Sequence, residues 1–111
     1  AAARAMKNVL IDRLRARLNG LLTARGGPGT VTGYGSMMMI QLAEGTYRRP
    51  RDTARVPPAA RALCQLEMIA QGIYVSRRNT LNLSLPMGDA EFDRIAGAFD
   101  AFLAEYGRVL G

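Results

Sequence analysis

Apolar residues recur along this chain at changing intervals, and each change of interval marks an element. Between residues 3 and 25, Leu10, Leu14, Leu18, Leu21 and Leu22 repeat mostly every three or four positions, with Asp12, Arg13, Arg15 and Arg17 largely off that stripe. This is the period of a helix with one apolar face. The glycines and proline of "RGGPG", residues 25–29, end it. Thr30 to Thr32 is a β-branched run, and Met37 to Leu42 is nearly unbroken apolar sequence, so both predict strands, the second buried. Gly33 and Gly35 lie between them and predict a tight bend.

Residues 46–58, "TYRRPRDTARVPP", mix prolines with a charge run and predict a solvated loop that gives nothing to a core. Pro57 and Pro58 suit the start of a helix running to Gln71, with Ala59, Ala62, Leu63, Leu66, Ile69 and Ala70 as its apolar face. Gly72 ends it. Ile73 to Val75 predicts a short strand. Leu81, Leu83 and Leu85 alternate with Asn82 and Ser84, the period of a half-buried strand, until Pro86. Residues 89–106 predict a last helix with Phe92, Ile95, Phe99, Phe102, Leu103 and Tyr106 inward and Gly88 or Asp89 as its cap. The order α-β-β-α-β-β-α predicts an α+β fold: a small antiparallel sheet with helices packed on one face.

Length adds that 111 residues make one domain. Charge adds a question. The net charge is +6, almost all of it arginine, since Lys7 is the only lysine. Arg48, Arg49, Arg51, Arg55 and Arg61 crowd residues 48–61, whereas Asp89, Glu91, Asp93, Asp100 and Glu105 crowd the last helix. Such a balance suits a nucleic acid, an anionic membrane, an anionic ligand, or only an arginine-rich surface. Nucleic acid would want aromatics interleaved with the basic residues, and Tyr47 alone is near the arginine loop.

The chain has no histidine, which excludes histidine bases, triads and metal ligands within it. No cluster of cysteines or carboxylates offers metal-ligand spacing. Cys64 is the one cysteine, so it forms no internal disulfide, and its helical setting predicts a buried thiol. A cytoplasmic location is expected from this cysteine usage and from the lack of a secretory pattern or membrane-length apolar run. The opening "AAARAMKNVL" lacks an initiating methionine and reads as a cut end already inside a helix.

The chemistry concentrates in "YVSRRNTLNLSLP", residues 74–86, where Arg77 and Arg78 sit at a bend. Solvent is one reading of that pair. The other is a carboxylate, which a guanidinium binds bidentately while staying charged. Gly35 and Ser36 are candidates to line a pocket, although their glycine spacing matches no phosphate or dinucleotide fingerprint. Met37, Met38 and Met39 are expected to fill core.

The stretches "VTGYGSMMMIQL", "EMIAQGIYVSRRN" and "LNLSLPMGDAEFDRIAGAFDAFLAEY", in this order, resemble the C-terminal small domain of class III, pyridoxal-phosphate-dependent aminotransferases. The nearest kin look like glutamate-1-semialdehyde aminomutase and the β-amino-acid transaminases. "DRLRARLNGLL" resembles the helix that enters that domain. The resemblance covers nearly the whole chain. It implies a fold-type I homodimer with a large cofactor domain, a Schiff-base lysine in that domain, and a second subunit at the active site. It implies an amino acid and a keto or aldehyde compound as substrates, with neither nucleic acid nor membrane as partner.

In the family an arginine commonly opens the last strand and takes the substrate carboxylate. That position here is Asn82. In the β-amino-acid transaminases an arginine of the preceding bend takes the role, which implies Arg77 or Arg78 as the carboxylate ligand. Lys7 lies outside any likeness to the Schiff-base lysine, so pyridoxal phosphate is expected in the full-length enzyme and not on this chain alone. Residues 1–111 are then a single small domain whose cofactor domain lies elsewhere, inactive by itself. The alternative is a stand-alone basic α+β module for an anionic partner such as RNA.

Overall fold

The computed structural model describes residues 2–34, 37–76, 79–82 and 88–110. Helix α1 (Ala2–Ala24) is followed by strands β1 (Thr30–Tyr34) and β2 (Met37–Gln41), a 3₁₀ turn (Pro50–Arg55), helix α2 (Pro58–Ala70), strand β3 (Thr80–Asn82) and helix α3 (Asp89–Leu110). The strands form an antiparallel sheet in the order β1-β2-β3.

Strand register sorts the sheet into two faces. Val31 lies opposite Ile40, and Met38 opposite Leu81, and all four side chains are buried. Residues i and i+2 share a face, so these make the core side. On the other side Thr32 and Met39 are half-buried and Met37 is exposed. The methionine triplet is therefore split by the pleat: Met38 is core, Met37 is not.

Helix α1 buries Ile11, Leu14, Leu18 and Leu22, the expected stripe moved slightly, with Leu10 and Leu21 half-buried beside it. It packs on β1 and on α3. Arg17 meets Asp93 at 2.6 Å and Arg25 meets Asp100 at 3.0 Å, so partners advance together and the two helices run parallel. The acidic face of α3 is thus met in part by the arginines of α1. Asn19 stitches the same helix to the sheet edge: its Oδ1 accepts the Val31 N–H at 2.8 Å, and its Nδ2 donates to the Val31 carbonyl at 3.1 Å.

At the start of α3 the Phe92 N–H donates to the Gly88 carbonyl, and the Glu91 carboxylate accepts the Gly88 N–H at 2.9 Å. Gly88 is therefore the cap, with Glu91 reaching back to it. The buried side of α3 carries Phe92, Ile95, Phe99, Phe102 and Leu103 as expected, and Tyr106 is half-buried.

Three expectations need correction. First, α2 buries Ala60, Cys64 and Met68 rather than the face predicted for it. Leu66 is 64 % exposed and Ile69 44 %, while Ala59, Ala62 and Ala70 also face solvent. The helix has two apolar stripes, and packing against α3 selects the one whose neighbour Glu67 accepts the Tyr106 hydroxyl at 3.1 Å. Second, Ile73–Val75 is not a strand. Among the described residues it joins no ladder: the Ile73 N–H donates to the Met68 carbonyl at 2.9 Å, and the Val75 carbonyl accepts the Gln65 side-chain N–H at 3.4 Å. Among the described residues the order of elements is therefore α-β-β-α-β-α, and the α+β class stands; of the strand predicted over Leu81, Leu83 and Leu85, the part beyond Asn82 lies outside the described residues. Third, the arginine loop does reach the core. Val56 is fully buried, and the Tyr47 hydroxyl donates to the Ala43 carbonyl at 2.6 Å.

Asp52 organises that loop. It is 6 % exposed, and one carboxylate oxygen accepts the N–H groups of Arg48 and Arg49, each at 2.9 Å. The other lies 3.5 Å from the Arg49 guanidinium and 3.6 Å from that of Arg55. The Arg49 and Arg48 N–H bonds hold the carboxyl below the usual carboxylate range. A depressed folded pKa gives stability that is present above the unfolded value and lost as pH falls through the folded one. Asp100, lowered by its bond to Arg25, adds the same sign. Urea titrations should show the midpoint falling as pH drops below about 4, and Asp52→Asn should flatten part of that fall.

Candidate functional site

The bend between α2 and β3 is fastened at its neck. The Asn79 N–H donates to the Ser76 carbonyl at 2.9 Å, the Ser76 N–H to the Thr80 carbonyl at 3.2 Å, and the Thr80 N–H to the Ser76 hydroxyl at 3.2 Å. The Asn79 carbonyl accepts the Ile40 N–H at 2.9 Å and so joins the neck to β2. Asn79 has φ +57°, a left-handed conformation that asparagine tolerates better than most residues. Arg77 and Arg78, the candidate carboxylate ligands, lie outside the described residues.

Gly35 and Ser36, the candidate pocket residues, also lie outside them. Their neighbours Tyr34 and Met37 pair across the β1–β2 ladder. Met37 and Asn79 flank the two candidate stretches from opposite ends of β2. Three residues of strand separate those ends, roughly 10 Å at the usual rise.

The neck carries what the sequence reading missed. Asn79 is wholly buried, and neither Nδ2 nor Oδ1 of its side chain has a hydrogen-bond partner. Gln41, 2 % exposed, leaves its Oε1 unpaired as well. Asparagine after a paired-arginine bend is a signal for the left-handed backbone, but nothing in the sequence tells that its carboxamide goes inward.

Elsewhere the chemistry is quiet. Burial pushes the Cys64 thiol up to about 12, so it is not a nucleophile near neutral pH. Among the described residues no three His, Cys, Asp or Glu side chains gather as metal ligands, and no helix is long and apolar enough to cross a membrane. A cleft of about 420 Å³ opens between the middle of α1 and the start of α3, over Leu10, Leu14 and Phe92. The Arg17–Asp93 ion pair lies at its edge.

No family model matches the chain. Over 99 residues, 89 % of its length, the chain is 36 % identical to a β-phenylalanine transaminase of Variovorax paradoxus. It is similar to one part of a transaminase. That part is small: the match spans 23 % of the Variovorax enzyme. The crystal structure of the β-phenylalanine aminotransferase of Variovorax paradoxus superposes with a TM-score of 0.81 over 88 % of this chain and 23 % of that one. An ω-transaminase from Sphaerobacter thermophilus gives 0.75 at 31 % identity, over 93 % of this chain and 24 % of that one. A transaminase with PLP bound shares the fold, again at 0.75, with 24 % identity, over 96 % of this chain and 25 % of that one. The resemblance to a small domain of the pyridoxal-phosphate transaminases holds in sequence and in fold.

Proposed function

We propose that this chain is the C-terminal small domain of a pyridoxal-phosphate-dependent class III transaminase acting on a β-amino acid. In this reading it closes the active site over a larger cofactor domain, and Arg77 or Arg78 holds the substrate carboxylate. The observation that carries the reading is the likeness to the β-phenylalanine transaminase across 89 % of the chain. The fastened neck from Ser76 to Thr80 supports it, since a bend that holds a ligand needs a fixed base.

The cofactor does not fit within these residues. A Schiff base needs a lysine amine, and the one lysine is Lys7, outside any likeness to the family's lysine. Bound in the larger domain, pyridoxal phosphate would supply the electron sink. This chain would supply orientation: a guanidinium fork fixes both oxygens of a carboxylate and so the face the substrate presents. A homodimer follows from the same reading.

Two measurements test it. The DNA upstream of the Ala1 codon should continue in frame into a cofactor domain with its lysine; a stop codon and a local start would overturn the reading. In the enzyme so encoded, replacing the responsible arginine (Arg77→Ala or Arg78→Ala) should raise KM for β-phenylalanine. A bidentate charged pair contributes about 1.5–3 kcal/mol, roughly ten- to hundredfold in KM. If neither variant changes KM or kcat/KM, the carboxylate role is wrong.

A further inference from the structure

The arginines of α1 and the acids of α3 stand at matching heights on two parallel helices. Arg25 meets Asp100 and Arg17 meets Asp93, so the pairs form a ladder between the helices. One turn before Arg17 and Asp93 come Arg13 and Asp89, each four residues earlier on its own helix. Their charges and height suit a further rung, yet that rung is not made. Both side chains are exposed, and among the described residues neither has an ion-pair or hydrogen-bond partner. The cleft of about 420 Å³ lies here: Arg13 and Asp89 line it together with Leu10, Leu14 and Phe92.

We propose that this cleft binds a free amino acid with an apolar side chain: the ligand's carboxylate pairs with Arg13, its ammonium group with Asp89, and its side chain lies over Leu10, Leu14 and Phe92. Three features give that class. A cation and an anion that line one cleft without meeting match a ligand that carries both charges, whereas a lone carboxylate or a lone amine leaves one of them unmatched. Arg17 and Asp93 are already paired with each other at the edge of the cleft, so the ligand's charges fall to Arg13 and Asp89. The volume lies at the small end of ligand pockets and suits one amino acid. A bound amino acid completes the ladder and ties α1 to α3 one turn further along, so it stabilises the fold as its concentration rises. Both pairs are open to solvent and individually weak, which sets the expected Kd at about 1 mM. The inference does not depend on the transaminase reading.

Its test is an NMR titration of the isotope-labelled chain at low salt with L-leucine and with its two halves: 4-methylpentanoate, which lacks the amine, and 3-methylbutylamine, which lacks the carboxylate. Leucine should shift the backbone signals of residues 10–17 and 89–93 to saturation and raise the unfolding temperature. Each half should bind about three- to fivefold more weakly. Arg13→Gln should weaken leucine and 4-methylpentanoate by a similar factor and leave 3-methylbutylamine unchanged. Asp89→Asn should weaken leucine and 3-methylbutylamine and leave 4-methylpentanoate unchanged. No saturating shift at these signals overturns the proposal, as does equal binding of leucine and its halves. Leucine binding unchanged in both variants overturns it too. A variant that weakens all three compounds alike has loosened the cleft rather than removed one charge contact, and that outcome also counts against the site.

Discussion

Gly29→Ala is expected to destabilise the chain by about 3–5 kcal/mol, the sum of a left-handed backbone that alanine resists and a clash that the backbone cannot relieve. Gly29 has φ +97°. A Cβ there would fall inside the contact radius of the Gln41 carbonyl oxygen and lie 2.8 Å from the Ala43 nitrogen. Both are main-chain atoms beside a buried strand, so no side chain can swing away. The Gly29 N–H is also held by the Glu44 carboxylate at 3.2 Å, which fixes the turn from the other side. Chemical denaturation of the purified variant checks this. A loss under 1 kcal/mol would mean that the turn before β1 relaxes freely.

Phe99→Ala should be of similar size, about 3–5 kcal/mol, as for other buried aromatic truncations. Phe99 is fully buried and stacks on Phe102, centroids 6.2 Å apart, which in turn meets Tyr106 at 5.7 Å. The row lies along α3, the helix against which both α1 and α2 pack. Emptying the Phe99 end of the row removes contacts from a helix that both others lean on, and the cavity term depends on how far they can follow. Phe99→Leu, which refills much of the space, should recover most of the loss. An equal loss for leucine and alanine would show that the ring stacking, not the volume, is what matters.

The parts of the fold that were legible in the sequence are those where one apolar stripe has no rival. In α1 the leucines repeat against a background of arginine and aspartate, and in α3 the aromatics stand against acids, so each helix has one face to bury. In α2, Ala60, Cys64 and Met68 are as apolar as Ala59, Leu66 and Ile69. Spacing cannot choose between two such stripes; the position of α3 does. The arginine loop was misread for a related reason. Its prolines and charges predict solvent, but Asp52 supplies acceptors for the loop's own N–H groups and lets Val56 turn inward.

The candidate site was legible only in its charged residues. Paired arginines at a bend announce themselves by charge. Gln41 closes an apolar run and Asn79 opens a strand, and either side chain would ordinarily be assigned to solvent. Their burial comes from the way β2 and the neck of the bend are bonded together, which is a relation between residues far apart in the chain.

The pairing of α1 with α3 has one more consequence, for the birth of the molecule. The Arg17–Asp93 and Arg25–Asp100 bridges join residues separated by 76 and 75 positions. Within residues 1–111 the ribosome makes α1 well before α3, yet α1 buries its stripe largely against α3. Until α3 has emerged, α1 and the sheet lack that cover, and their leucines and methionines are open to other chains. Contacts of such long sequence separation slow folding and lengthen the exposed interval. Translation through residues 89–110 is thus the moment at which this domain changes from a sticky nascent chain into a closed one.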